Sequence, residues 1–231
     1  MATQDCKGTK AMILAAGRGE RMRPLTDITP KPLLKAGQHR LIEYHLLRLA
    51  AAGVDDIVIN IAYKGAQIRE TLGDGRRYGV RIQYSDEGQQ ALETGGGIRK
   101  ALSLLNNESF IVINSDIWTD YPVENLLQRQ LQGLAHLILV KNPQHNNTGD
   151  FALLSDRVNN EGTKRLTFSG IGLYSPALFA DVEEHGFPLA PLLRQAADQQ
   201  LVSGEYYEGQ WLDIGTPERL EYLSTLITQR D

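Results

Sequence analysis

Short apolar runs alternate with longer amphipathic stretches through the first half of the chain. Residues 11 to 16, 56 to 63 and 110 to 116 are largely apolar, and the last two runs are rich in β-branched side chains, which is typical of buried parallel strands. Residues 41 to 53 and 96 to 105 place apolar side chains at helical spacing. This alternation predicts an α/β fold with a mostly parallel sheet flanked by helices.

The alternation continues less regularly in the second half. Its predicted elements are helices at residues 123 to 133, 188 to 200 and from Pro217, and strands at residues 135 to 140, 170 to 175 and 202 to 209. No linker or internal repeat divides the chain, and 231 residues fit one large domain. We expect a single Rossmann-like domain over residues 10–231, after a leader at residues 1–9 that is disordered or of expression origin.

Composition limits the classes of function. With 42% hydrophobic residues, 23% charged residues and a net charge of −4, the chain is typical of a soluble globular protein and lacks the basic field of a binder of long nucleic acid. Its one cysteine, Cys6, cannot form an internal disulfide, and no apolar run has the length of a membrane span. We therefore expect a cytoplasmic protein whose phosphate affinity, if any, comes from local charge.

A glycine-rich and basic segment follows the first strand. Its glycines and cations are Gly17, Arg18, Gly19, Arg21, Arg23, Lys31 and Lys35. Glycines allow backbone N–H groups to approach phosphate oxygens, and the cations would neutralise the charge of a leaving pyrophosphate. Pro24, Pro30 and Pro32 are expected to hold the segment extended. Neither a P-loop nor a dinucleotide fingerprint is present. An ordinary turn is the alternative interpretation of the two glycines.

Two aspartates lie where a magnesium ion could be bound. Asp116 ends the predicted strand at residues 110 to 116, and Asp213 precedes the last helix. Mg²⁺ takes one or two carboxylates and completes its shell with water and substrate phosphates, so two separated aspartates suffice. Taken singly, each is better explained as a turn or capping residue.

These segments together resemble the signatures of the sugar nucleotidyltransferases. Residues 17 to 26 fit G-x-G-x-R-[LM]-x-P-x-T, residues 30 to 33 fit P-K-P-[LM], and residues 211 to 217 fit W-x-D-[IV]-G-[TN]-P. The resemblance implies that Arg21 stabilises pyrophosphate, that Lys31 contacts the reacting phosphates and that Asp116 and Asp213 hold Mg²⁺. The nucleotide-binding residues that it implies in the loop are Leu14, Ala15, Ala16, Gly17 and Gly19.

The resemblance also assigns residues to the base and to the sugar. On the base side it implies contacts from Thr94 and Gly95, and it places Glu87 where a base-reading glutamine is common. Glu93 stands where the family usually has glycine. The implied sugar-binding residues are Asp116, Gly149, Asp150 and Ser169. Ser169 replaces the usual asparagine, and the family's E-K-P stretch is absent, so Lys164 or Arg165 is the candidate for its charge.

The implied reaction is attack by a sugar 1-phosphate oxygen on the α-phosphorus of a nucleoside triphosphate. Because that nucleophile is already anionic, no general base is required. The chain is most similar to short, single-domain members that lack a β-helix, which implies UTP and N-acetylmuramic acid α-1-phosphate as substrates, in cell-wall sugar recycling. GTP with mannose 1-phosphate is the alternative within the class. A glycosyltransferase is disfavoured because Ile117 and Trp118 leave no D-x-D pair after Asp116. A silent sugar-nucleotide sensor would be expected to lack Arg21, Lys31 or one of the two aspartates, and all four are present.

Overall fold

The structure, a computed structural model, describes residues 9–105, 108–183 and 185–229. Apart from Thr9, the predicted leader with Cys6 lies outside these residues. The strands are β1 Ala11–Leu14, β2 Lys35–Ala36, β3 His39–Arg40, β4 Asp56–Ile61, β5 Arg81–Asp86, β6 Phe110–Asn114, β7 Ile117–Thr119, β8 Ala135–Val140, β9 Phe151–Leu154, β10 Arg157–Asn159, β11 Arg165–Tyr174, β12 Val202–Tyr207 and β13 Trp211–Asp213. The α-helices are α1 Leu25–Ile28, α2 Leu41–Ala51, α3 Gly65–Leu72, α4 Glu93–Ala101, α5 Glu124–Leu127, α6 Leu189–Asp198 and α7 Pro217–Thr228.

One large sheet organises the molecule. In the described residues it has nine strands in the order β5-β4-β1-β6-β11-β8-β12-β10-β9. Strands β5, β4, β1 and β6 are parallel, as the alternating pattern predicted. Strand β11 is antiparallel to both β6 and β8, while β8 and β12 are parallel, so the second half of the sheet is mixed. Two short antiparallel ribbons, β2–β3 and β7–β13, lie apart from this sheet.

Both faces of the sheet are covered, as expected for parallel strands. Alternate side chains of one strand point to opposite faces, so that Ile13 lies in one buried cluster and Met12 in the other. Helices α2 and α3 cover the first face, and α4 and α6 cover the second. In the described part of the chain, no helix is both long and apolar enough to cross a membrane.

A third buried cluster fixes the C-terminal helix. Side chains of α7, including Leu223 and Ile227, pack with Met22, Trp118 and Ile214. Met22 belongs to the basic segment after β1, and Ile214 directly follows Asp213. This cluster therefore ties the end of the chain to the segment that carries the candidate cations.

Two expectations about local structure are wrong. The basic segment is not extended, because it contains short 3-10 turns at Glu20–Met22 and Lys31–Leu33 and the short helix α1. Proline is compatible with a first helical turn, whose N–H groups have no partner in the helix. The helix predicted at residues 123 to 133 ends at Leu127, since residues 128 to 130 are exposed and offer no apolar side chain for packing.

A polar cluster joins β12 to the chain before and after α5. The carboxylate of Glu205 accepts hydrogen bonds from the Tyr121 hydroxyl (2.7 Å) and the Arg129 guanidinium (2.6 Å). The Nε2 atom of His136 lies 3.4 Å from the same carboxylate, and its Nδ1 atom lies 2.8 Å from Ser203 Oγ. This Ser-His-Glu arrangement is structural, because His136 is fully buried in the sheet.

Acid should weaken this cluster. Contact with the His136 ring, with help from Tyr121 and Arg129, lowers the pKa of Glu205 to about 2 against the opposing effect of burial. A carboxyl group whose pKa is lower in the folded chain stabilises the fold above its unfolded pKa and loses that contribution as the pH falls towards the folded pKa. We expect the free energy of unfolding to fall from about pH 4.5 towards pH 2 and Glu205→Gln to fall less steeply. Urea unfolding across this range checks it, with the exposed Glu208→Gln as control; parallel curves for all three proteins would refute it.

Candidate active site

An open cavity of about 450 Å³ lies at the carboxyl ends of the parallel strands. We call it the main cavity. Its wall comes from the end of β1 and the following loop, from the start of α4 and from the chain after β6. The predicted residues that line it are Leu14, Ala15, Ala16, Gly17, Gly19, Arg21, Lys31, Thr94 and Asp116. The structure therefore brings together residues that are more than 90 positions apart in the sequence.

Gly19 shapes the loop on one side of the main cavity. Its φ of +66° lies in the left-handed region, and an added Cβ would stand 3.0 Å from Lys31 Cβ and 3.1 Å from Thr26 Cγ2. The Thr26 hydroxyl donates to the Gly19 carbonyl at 2.9 Å, which fixes the turn. A glycine is needed here both for the backbone conformation and for the close approach of Lys31.

Lys31 and Asp116 form an ion pair at the wall of the main cavity. The distance from Lys31 Nζ to Asp116 Oδ2 is 2.7 Å, and only 9% of the Lys31 side chain is exposed, against 34% for Asp116. Lys31 begins a 3-10 turn, and Asp116 lies two residues beyond the end of β6. The pair places a cation and an anion side by side in a partly dehydrated site, where both act more strongly on a bound phosphate than they would in water.

The β7–β13 ribbon brings Asp213 next to Asp116. Asp213 is paired with Ile117, and the Ile214 N–H donates to the Asp116 carbonyl at 2.8 Å. Gly215 lines the main cavity, and its lack of a side chain lets three charged groups come close together. A Cβ atom added at Gly215 would lie 3.1 Å from each of Arg21 Nη2, Arg219 Nη1 and Asp213 Oδ1. Both candidate cations and both candidate metal ligands therefore meet in one region of the molecule.

Two partners of Asp213 were not foreseen from the sequence. Arg219 Nη1 donates to Asp213 Oδ2 at 2.7 Å, and His145 Nε2 lies 2.9 Å from the same oxygen. A signal for Arg219 existed, because it lies six residues after Asp213 in the first turns of α7. His145 comes from the loop after β8 and had no such signal. Another histidine, His45, has its pKa lowered to about 4 by burial, as suits a structural residue.

The carboxylates of this region fit a small divalent cation. Within the described residues, no group of three or more His, Cys, Asp or Glu side chains is placed to hold a metal ion. Mg²⁺ does not need such a group, because water and substrate phosphates complete its octahedron around one or two carboxylates. Asp116 and Asp213, on paired segments beside the main cavity, could supply those two.

Comparison with known proteins agrees with this geometry. Residues 10–151, more than half of the chain, match the sequence model of the family described as nucleotidyl transferase. The chain belongs to the nucleotidyl transferase family. The N-acetylmuramate alpha-1-phosphate uridylyltransferase of Neisseria meningitidis serogroup B is 50% identical over 227 residues, which cover 94% of this chain and 97% of that protein. The protein of the same name from Caulobacter vibrioides is 35% identical over 223 residues, or 90% of this chain and 92% of that one.

A solved structure confirms the fold. A UDP-glucose pyrophosphorylase complexed with UDP-glucose superposes with a TM-score of 0.78 and 17% identity, covering 96% of this chain and 99% of that chain. The single-domain, Rossmann-like α/β architecture predicted from the sequence is therefore correct.

Among the residues predicted to contact the base, Glu87 supports the wall of the main cavity. The Ala15 N–H donates to Asn60 Oδ1 (2.8 Å), and Asn60 Nδ2 donates to Glu87 Oε1 (2.6 Å). The other carboxylate oxygen of Glu87 accepts from the Leu92 N–H at 2.6 Å. Glu87 is buried and does not line the cavity, so its contact with a base stays a prediction.

Exchange of the Glu87 carboxylate should disturb the loop that follows β1, because Asn60 links the two. Both partners of the Glu87 carboxylate are N–H donors, so each of its oxygens must accept a hydrogen bond. Glutamine would instead present an N–H₂ group to one of these donors. We expect Glu87→Gln to lower the free energy of unfolding by about 1–3 kcal/mol and to raise KM for the nucleotide more than KM for the sugar 1-phosphate. Denaturant titration and steady-state kinetics test this, with the exposed Glu70→Gln as control. Equal stability and equal KM values would show that the network is not needed.

The start of α4 has a left-handed backbone at the position where the family usually has glycine. Glu93 has φ +58°, a left-handed conformation that glycine adopts without strain, and its side chain lines the main cavity. The Thr94 hydroxyl, which also lines the cavity, accepts from the Leu189 N–H at 2.9 Å. Gly95 lies in the interior instead: an added Cβ would stand 2.2 Å from the Phe187 ring, so packing alone requires glycine there.

The structure places the residues predicted to bind sugar in different surroundings. Asp150 lines a smaller cavity, of about 210 Å³, that shares Thr94 and Asn114 with the main cavity. Gly149 packs against the backbone of Arg165, and Ser169 is buried with its hydroxyl accepting from the Ile171 N–H. Neither lines this smaller cavity, so their contacts with a sugar stay predictions.

Proposed function

We propose that this nucleotidyl transferase moves a uridylyl group from UTP to N-acetylmuramic acid α-1-phosphate, producing a UDP-sugar and pyrophosphate. The observation that carries the proposal is the meeting of Arg21, Lys31, Asp116 and Asp213 at the open end of the parallel strands. The choice of UTP and of this acidic sugar is supported by 50% identity, over almost the whole chain, to a protein named for that reaction.

The proposed chemistry needs charge control more than proton transfer. The attacking sugar phosphate is already an anion, so the barrier is set by its repulsion from the triphosphate and by the charge that develops on the leaving pyrophosphate. Two unit charges 4 Å apart repel by about 1 kcal/mol in water and by about 4 kcal/mol at an effective dielectric constant of about 20. Cations placed in advance at the cavity wall oppose this repulsion without any reorganisation during the reaction.

Each cation has a distinct place in this proposal. Arg21, in the 3-10 turn after Gly19, offers a planar guanidinium that suits two oxygens of pyrophosphate. Lys31 offers a point charge next to Asp116 and would exchange that partner for a substrate phosphate when the site is filled. Asp116 and Asp213 would hold Mg²⁺, which supplies further neutralisation of phosphate charge when bound.

A pyrophosphate-release assay tests the proposal. The four common nucleoside triphosphates are each combined with N-acetylmuramic acid, N-acetylglucosamine, glucose and mannose 1-phosphates, with Mg²⁺ or with a chelator. We expect the highest kcat/KM for UTP with N-acetylmuramic acid 1-phosphate and no turnover with the chelator. A clear preference for GTP with mannose 1-phosphate would overturn the substrate assignment, and full activity in the chelator would overturn the metal assignment.

A further inference from the structure

The smaller cavity next to the main cavity has an unusual combination of walls. We call it the side cavity. Phe151, Phe168, Leu189 and Leu193 make it largely apolar, and Arg194 contributes a cation to it. Its volume of about 210 Å³ is enough for a substituent of several non-hydrogen atoms, since one water molecule occupies about 30 Å³ in the liquid.

Arg194 is held in place by an aromatic ring and by neutral oxygen atoms. Its guanidinium carbon lies 5.0 Å from the centre of the Phe151 ring, and Nη1 donates to the Asp150 carbonyl at 3.2 Å. A longer contact of 3.4 Å joins the same nitrogen to the Asn160 side-chain oxygen. Within the described residues, no carboxylate lies within ion-pair distance of Arg194; the Asp150 carboxylate instead accepts from the Phe168 N–H at 2.8 Å.

The position of the side cavity relates it to the sugar. The two cavities share Asn114, the last residue of β6, and Asp116 lies two residues further along the chain. A sugar whose 1-phosphate lies near Lys31 and Asp116 would have its ring beside Asn114. One of its ring substituents would then extend into the side cavity, towards Arg194.

From these contacts we infer that Arg194 binds a carboxylate that the sugar carries on a short apolar arm and so selects acidic sugar 1-phosphates. The lactyl ether of N-acetylmuramic acid is such a group: its methyl-bearing arm suits the apolar walls, and its carboxylate suits the guanidinium. The inference rests on the proposed function and deepens it. It makes Arg194 a specificity-determining residue that lies outside the region of Lys31 and Asp116.

Binding of two products that differ only in this arm tests the inference. Calorimetry gives Kd for UDP-N-acetylmuramic acid and for UDP-N-acetylglucosamine, which lacks the lactyl group, in the unmodified enzyme, Arg194→Gln and Arg194→Lys. The control is Arg69→Gln, which removes another arginine stacked on an aromatic ring, with its guanidinium carbon 4.7 Å from the centre of the Tyr84 ring. kcat/KM for the two sugar 1-phosphates is measured in the same proteins, with thermal unfolding as a check on the fold.

We expect Arg194→Gln to weaken binding of the carboxylated product by roughly 10- to 100-fold and to change binding of the other by less than about 3-fold. Arg194→Lys should keep part of the preference, because it retains the charge without the planar fork. Equal weakening of both products, or no weakening of either, would overturn the inference while leaving the proposed function intact. If the unmodified enzyme makes no product from N-acetylmuramic acid 1-phosphate, the proposed function fails and the inference fails with it.

Discussion

Lys31→Met should lower kcat/KM for UDP-sugar formation by about 10²- to 10³-fold, the usual effect of removing one group that stabilises transition-state charge. Its ammonium lies 2.7 Å from Asp116, and its side chain is 9% exposed, so its charge acts where water screens it poorly. Methionine keeps a similar apolar stem and removes only the charge. Initial rates of pyrophosphate release measure the effect.

The matched control for this substitution is Lys64→Met. Lys64 lies near the same segment and donates to the carbonyls of Asp27 and Ile28, but it does not line the main cavity. Its kcat/KM should stay within about 3-fold of the unmodified enzyme, as for most surface substitutions. Similar losses of kcat/KM in both variants would mean that these lysines only maintain the structure of the basic segment after β1.

Asp116→Asn and Asp213→Asn should each lower turnover by about 10³-fold, because loss of a metal ligand removes several kcal/mol of transition-state stabilisation. Since the two residues are proposed to act as one unit, the double variant should be little worse than either single one. The free energy of unfolding should change much less than turnover, because the amide oxygen of asparagine can still accept hydrogen bonds from Lys31 and Arg219. Rates over a Mg²⁺ titration, with urea unfolding, check both effects.

Asp120→Asn is the control for these carboxylates. Asp120 lies four residues after Asp116, but its carboxylate accepts from the Tyr207 hydroxyl at 2.6 Å and from the Gln210 N–H at 2.7 Å. It should retain turnover and the same Mg²⁺ dependence. If Asp116→Asn or Asp213→Asn behaves like this control, that aspartate is not part of the metal site.

Local sequence pattern was enough to predict the first part of the site. Leu14 ends a buried strand and the loop to Gly19 follows it, while Asp116 follows another strand of the same parallel set, so both had to reach one edge of the sheet. Asp213 was harder, because its place depends on the β7–β13 ribbon. Its position was predicted from the family motif at residues 211 to 217 and not from hydrophobic periodicity.

The remaining features depend on contacts between distant segments. Asn60 supports Ala15 across 45 positions, and His145 reaches Asp213 from a loop with no motif of its own. Arg194 belongs to no motif, and only the packing of α6 places it at the side cavity. Glu93, where the family usually has glycine, adopts a left-handed conformation that its residue type did not predict.

The main cavity is proposed to join a sugar 1-phosphate to the α-phosphorus of UTP. The most direct test is incubation of the enzyme with Mg²⁺, N-acetylmuramic acid 1-phosphate and UTP labelled at either the α- or the γ-phosphorus. We predict that the α-label appears in UDP-sugar and the γ-label in pyrophosphate, in equal amounts, and that Lys31→Met loses both together. Appearance of the α-label only in free UMP or UDP, with no labelled sugar nucleotide, would show that the cavity does not perform this transfer.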